Sequence, residues 1–228
     1  WNPINVSLIK AVESKNYEGV RSLINNKTLN VNYLWTDTIQ DSFGDDVHFT
    51  PLMLSVEKSN IEITKLLLKH EDIDVNCANN EGVTPLHIAV GKDDYKMTEL
   101  LLGQKQINVN QQTTISGYAP LHLAVTRDNP EIARLLLTHN NINVNLQTNG
   151  GHTPLDLATR RLRLELVKLL SKVPNIDIFI KNNKNETVVD LAYAYQIFGC
   201  ASPKECENMF LDFKRTTDDD VEHEPRTA

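Results

Sequence analysis

The heptapeptide Thr84-Pro85-Leu86-His87-Ile88-Ala89-Val90 returns along this chain at an almost fixed step. It reappears as Ala119-Pro120-Leu121-His122-Leu123-Ala124-Val125 and as Thr153-Pro154-Leu155-Asp156-Leu157-Ala158. Upstream stands Thr50-Pro51-Leu52-Met53-Leu54-Ser55-Val56, and downstream a worn copy, Thr187-Val188-Val189-Asp190-Leu191-Ala192. Successive copies are 34, 35, 34 and 34 residues apart. A unit of that length cannot bury its apolar face alone, so the chain must stack its units into an array.

One unit, Asn79 to Asn110, reads as two antiparallel helices between loops. Asn79-Asn80-Glu81-Gly82 is a turn in which Gly82 supplies a positive φ. Thr84 is placed to cap a helix, and Pro85 suits its first position, where a missing N–H costs nothing. Leu86, Ala89 and Val90 share one face of that helix. Asp93-Asp94 ends it, and Lys96–Leu102 forms the second helix. Gln106-Ile107-Asn108-Val109-Asn110 leads outward. The second helix recurs at Glu62–Leu68, Glu131–Leu137 and Glu165–Leu170, and the exit at Ile73–Asn76 and Ile142–Asn145.

Turn, Thr-Pro helix, Leu-Leu-Leu helix and Val-Asn exit together resemble the ankyrin repeat, over nearly the whole chain. The resemblance implies an all-α ankyrin-repeat solenoid of about six helix-turn-helix units with short β-hairpin-like finger loops. Residues 1–32 form an N-terminal capping repeat and 33–48 an acidic inserted finger loop. Residues 49–181 hold four regular repeats, 182–215 a degenerate C-terminal cap, and 216–228 an acidic tail of disordered composition. The cap's second helix is expected at about Lys204–Arg215, closed by Met209, Phe210 and Phe213.

The formal charge of −7 is uneven. Tyr33–His48 carries −4 through Asp37, Asp41, Asp45 and Asp46, and Thr216–Ala228 another −4, which leaves the repeats near +1. That weak field and the acidic tail make nucleic acid an improbable partner. No run of 18 apolar residues offers a membrane span. The opening at Trp1, without methionine, reads as a fragment or a processed form. Cys77, Cys200 and Cys206 match neither a disulfide framework nor a metal pair, and free thiols in a reducing compartment are expected.

Catalytic chemistry finds no constellation. His87 and His122 hold equivalent places, but Asp156 replaces them in the next unit, so hydrogen bonding near the cap fits better than metal ligation. Gly91-Lys92 lacks the rest of a phosphate loop. No enzyme, cofactor or metal is expected within these residues.

Read in register, the repeat leaves two ladders free. One follows each first helix: Lys58, Lys92, Arg127, Arg161, then Tyr195, thickened by Arg160 and Arg163. Basic residues there also complement a helix C-terminus. The other precedes each Thr-Pro: Phe49, Val83, Tyr118, His152 and Glu186. Aromatics there can face a partner or pack on the neighbouring turn. The widened step between the first two units inserts about ten residues, with Trp35 and Phe43 as partner-contact or packing residues. A basic rail beside an apolar-aromatic one suits a partner segment with acidic and hydrophobic residues.

The resemblance implies a non-enzymatic module that binds a partner protein through its concave groove and is monomeric alone. It implies a signalling adaptor or a host-directed effector, acting in a cytoplasm or nucleus. The Asn- and Ile-rich style favours the effector. The alternative is the targeting module of a larger enzyme. Leu68 with Asn76 also resembles a site of asparaginyl hydroxylation, as do Leu102 with Asn110 and Leu137 with Asn145.

Overall fold

Proline at a first helical position and a hydroxyl or amide just before it set the start of most first helices. The computed structural model describes residues 2–35 and 48–215, and there the chain forms twelve α-helices in six pairs. It falls into two compact units, Trp1–Ile115 and Ser116–Ala228. Phe43, the four aspartates of the insertion and the acidic tail lie outside the described residues.

The first unit holds α1 (Pro3–Glu13), α2 (Tyr17–Leu23), α3 (Pro51–Glu57), α4 (Ile61–Leu67), α5 (Pro85–Gly91) and α6 (Tyr95–Leu102). Its first helices α1, α3 and α5 pack side by side, and α2 packs on α4. The N-terminal pair keeps the cap logic in altered letters: Asn2 accepts the Ile4 N–H, and Pro3 follows it. Leu8, Ile9, Val12, Val20, Leu52, Ile63 and Leu67 are buried between these pairs.

The second unit holds α7 (Pro120–Thr126), α8 (Pro130–Leu137), α9 (Pro154–Arg160), α10 (Leu164–Ser171), α11 (Val188–Ala194) and α12 (Pro203–Arg215). Helices α7, α9 and α11 pack in one row, and α8, α10 and α12 in the other. Phe210 is fully buried, and Phe198 meets Phe210 and Phe213 edge-on at 5.3 and 5.5 Å. Of the three residues expected to close the cap, Phe210 and Phe213 thus meet Phe198, which the expectation did not include.

One local device repeats at the end of each first helix. A residue in the left-handed region follows the C-cap: Lys15, Ser59, Asp93, Asp128, Leu162 and Gln196, with φ between 50° and 59°. The next residue donates its N–H back five positions, as Asn60 does to Ser55 and Asn129 to Ala124, each bond satisfying a carbonyl that the helix end leaves open. Asn16, Asn60, Asp94 and Asn129 then turn their side chains forward to cap the second helix. Two structural jobs therefore fall on two adjacent residues.

The finger loops close as turns and form no strand among the described residues. Asn79 N–H donates to Val83 O, Thr148 N–H to His152 O, and Asn182 N–H to Glu186 O, at 3.0, 2.9 and 2.9 Å. Gly151, at φ +75°, backs onto the next finger, where an added Cβ would lie 2.6 Å from the Asn183 nitrogen. Only glycine fits that approach without displacement.

Cysteine pairing departs from the sequence expectation: Cys200 and Cys206 form a disulfide, and Cys77 alone is free. Gly199, at φ +63°, turns the chain before α12, so the two Cα atoms stand 5.5 Å apart. Their six-residue spacing spans a turn and the first helical turn, a pairing that linear spacing does not reveal.

Candidate functional site

The basic ladder occupies a defined place. Lys58, Lys92, Arg127, Arg161 and Tyr195 are the C-cap residues of α3, α5, α7, α9 and α11. Side chains there leave the helix beside its open carbonyls, where a cation is favoured. In the first unit Lys92 reaches back to Glu57 at 3.0 Å, an exposed pair worth little by itself. In the second unit Arg161 donates to the carbonyl of Thr126 at 3.2 Å. A neutral carbonyl leaves the guanidinium charge in place. Arg163 pairs with Asp128 at 2.8 Å.

The second ladder is half-buried at every rung. Phe49 exchanges two backbone hydrogen bonds with Trp35, at 2.8 and 3.2 Å, and both rings pack on the N-terminal core. Trp35 thus pins the base of the inserted loop. Val83 sits at the finger's closing bond, and Tyr118 stacks on the His122 ring, with centroids 5.8 Å apart. His152 takes the Arg160 guanidinium at 3.1 Å. Burial and the Arg160 charge hold its pKa below the ordinary value.

The histidines of the Thr-Pro-Leu-His phrase join parts of the scaffold. His87 Nδ1 lies 2.8 Å from Thr84 Oγ1 and accepts the Thr84 N–H. His122 Nδ1 accepts the Ala119 N–H in the same way, although α7 has no side-chain cap hydrogen bond. On its other side Nε2 donates to the carbonyls of Leu146 and His152, at 3.0 and 3.2 Å, binding one repeat to the next. Asp156 stands in this place in α9, almost wholly buried, and its carboxylate accepts the Thr153 N–H. Burial lifts its pKa to about 6 against the opposing pull of the Thr153 hydrogen bonds and Arg160.

Asn76 is spoken for at both ends of its amide. It donates to Gln106 O and accepts the Asn108 N–H, each at 2.7 Å. Asn32 bridges to Asp72 and Asp74 in the same way, and Asn145 to Asn175 and Asp177. The Val-Asn exit is therefore an asparagine clip between successive loops, a role that its placement alone did not disclose.

Sequence reading missed two exposed leucines. Leu162 and Leu164 flank Arg163, at 56% and 47% exposure. Leu162 holds the left-handed position, and Arg163 replaces the amide or carboxylate cap, so α10 starts with no side-chain cap hydrogen bond. Comparing Ser59-Asn60, Asp93-Asp94 and Asp128-Asn129 with Leu162-Arg163 in register would have found them. Among the described residues no three or more His, Cys, Asp or Glu side chains are grouped to hold a metal, and no helix is long and apolar enough to cross a membrane.

Comparison with known proteins agrees with this architecture. A family model of ankyrin repeats in three copies matches residues 8–113 and again 106–182. Among solved structures, the ankyrin repeat protein EF0377 aligns over 92% of this chain and 96% of its own, with a TM-score of 0.68 at 21% identity. Among curated proteins no significant match was found. The helix pairs, finger turns and family match together place the chain in the ankyrin repeat family.

Proposed function

We propose that this chain binds a protein partner through the exposed ends of its first helices and the adjoining finger turns, without chemistry of its own. Ankyrin repeats generally mediate protein–protein contact. The observation that carries the reading is the chemical likeness of the C-cap rungs: Lys58 and Lys92 in the first unit, Arg127 and Arg161 in the second. These positions project at helix ends while the apolar faces are consumed by packing. The partner would present carboxylates to the rungs and apolar side chains to Val83, Tyr118 and His152. Half-buried rings there move little on binding and offer contact area at low entropic cost.

The disulfide bears on where the protein works. Disulfides form in oxidising compartments. A chain that passes through one on its way out of a cell, as a host-directed effector would, fits Cys200–Cys206 better than a resident cytoplasmic adaptor does. Hydroxylation of Asn76 belongs to the same proposal, with the condition that its clip must first open.

The test is capture of a partner from lysate by wild type and by Lys58→Glu/Lys92→Glu and Arg127→Glu/Arg161→Glu, followed by titration of that partner. Affinity is expected to fall at least tenfold in one or both variants, with helical content and Tm unchanged. Equal affinity in all three proteins would refute the reading.

A further inference from the structure

The linking turn between α9 and α10 breaks the pattern kept by the four earlier turns between first and second helices. In those four the left-handed position holds Lys15, Ser59, Asp93 or Asp128, and the next residue caps the second helix with an amide or carboxylate. Here Leu162 takes φ 58°, a conformation that branched apolar side chains adopt with strain, and Arg163 offers no cap. Arg163 instead bends the chain so that Leu164 N–H bonds Leu162 O at 3.1 Å. Both leucines face solvent. Arg163 pairs with Asp128 in place of capping, and Leu162 serves no local structure; such exchanges concentrate where a surface is used.

Two further observations point to the same turn. Thr126 Oγ1, His152 Nδ1, Thr159 Oγ1 and Arg163 Nε are the buried side-chain polar atoms without a hydrogen-bond partner among the described residues, and all lie on or beside α7 and α9. Charge also gathers here. Residues 116–215 carry twelve Lys and Arg against ten Asp and Glu, a net +2, whereas residues 1–115 carry ten against fifteen, a net −5.

Resting on the proposed binding function, we infer that Arg160–Leu164 is the anchor point of the second unit, and that its occupant is an acidic peptide segment with an apolar side chain that covers Leu162 and Leu164. Arg161, whose charge among the described residues meets a neutral carbonyl, supplies the electrostatic partner, and Arg127 at the end of α7 continues it. The leucines supply the desolvated contact, which sets the dissociation rate, while the arginines set encounter.

The experiment uses the whole chain and labelled 12-residue peptides of three kinds: acidic with one central Leu, Phe or Trp, acidic without it, and neutral with it. Phosphatidylserine vesicles serve as a second probe. The variant Leu162→Asp/Arg163→Asn restores the Asp128-Asn129 pattern, and Leu162→Asn relieves the strained position without adding charge. The acidic peptides with an anchor should bind wild type and lose at least tenfold in affinity to both variants. The double variant should melt about 2–4 °C higher, because the repaired cap and left-handed residue outweigh the exposed Arg163–Asp128 pair that it loses. Undiminished peptide binding by the variants would overturn the inference. So would equal binding of the neutral peptides, a lowered Tm in the double variant, or capture of vesicles in place of peptides. If Arg127→Glu/Arg161→Glu abolishes binding while the leucine variants do not, the basic rungs stand and the anchor falls; if neither changes it, both fall.

Discussion

At residue scale the most consequential exchange is Asp156 for histidine. His122 fastens one repeat to the next through Nε2, whereas an ionised Asp156 has no proton to donate there and is buried. Its pKa of about 6 stands above the ordinary 3.8 because burial penalises the charge more than Thr153 and Arg160 stabilise it, and Glu186 adds repulsion. Folding therefore favours the protonated form. The favourable contribution is complete below about pH 4 and is lost as pH rises through about 6, a difference of about 3 kcal/mol. Asp156→Asn keeps an acceptor for the Thr153 N–H and adds a donor without charge. Its Tm should exceed that of wild type at pH 7, and the gap should close between pH 6 and pH 4. Melts followed by circular dichroism across that range decide it, and a gap independent of pH would show that the carboxylate is not the cause.

At the scale of elements, the helices were legible from local chemistry because each repeat states it again. Thr50, Thr84, Thr153 and Thr187 all accept the N–H three residues on, as a cap before a helix should. The Lys58-to-Arg161 rungs were legible too, since register alone places them at C-caps. Contacts that bridge repeats were not. The asparagine clips, the backward reach of Arg161 to Thr126 and the Trp35–Phe49 bridge join residues whose proximity exists only after stacking. The Leu162 turn escaped notice because its signal is the absence of a cap, which a search for charge passes over. Cys200 and Cys206 escaped for a related reason: pairing depends on the Gly199 turn. Closing so short a loop restricts the unfolded chain by about 2 kcal/mol in the chain-entropy model. Cys200→Ser/Cys206→Ser should therefore lower stability by roughly that amount, and thiol titration of native wild type should find Cys77 alone. Three reactive thiols under non-reducing conditions would remove the disulfide from the account.

At the scale of the molecule, charge is segregated along the chain. The tail of residues 216–228 carries −4, against a net +2 for residues 116–215 that immediately precede it. The tail's charge is of the sign that repels an acidic partner of the second unit. The Debye length is about 8 Å at physiological ionic strength and about 30 Å at 0.01 M, so the effect grows as salt falls. Deleting 216–228 should raise the association rate for an acidic anchor peptide by roughly 2- to 10-fold at low salt, a share of the span that electrostatic steering commands. The dissociation rate should hardly move, because the tail's charge acts on encounter and the short-range contacts are unchanged. Stopped-flow measurements from 10 to 500 mM salt separate the two rates. The advantage of the truncated chain should vanish at the high end, where screening reaches about 3–5 Å. A rate gain that persists there would mean that the tail obstructs the site sterically, and a loss of affinity on deletion would mean that the tail itself contacts the partner.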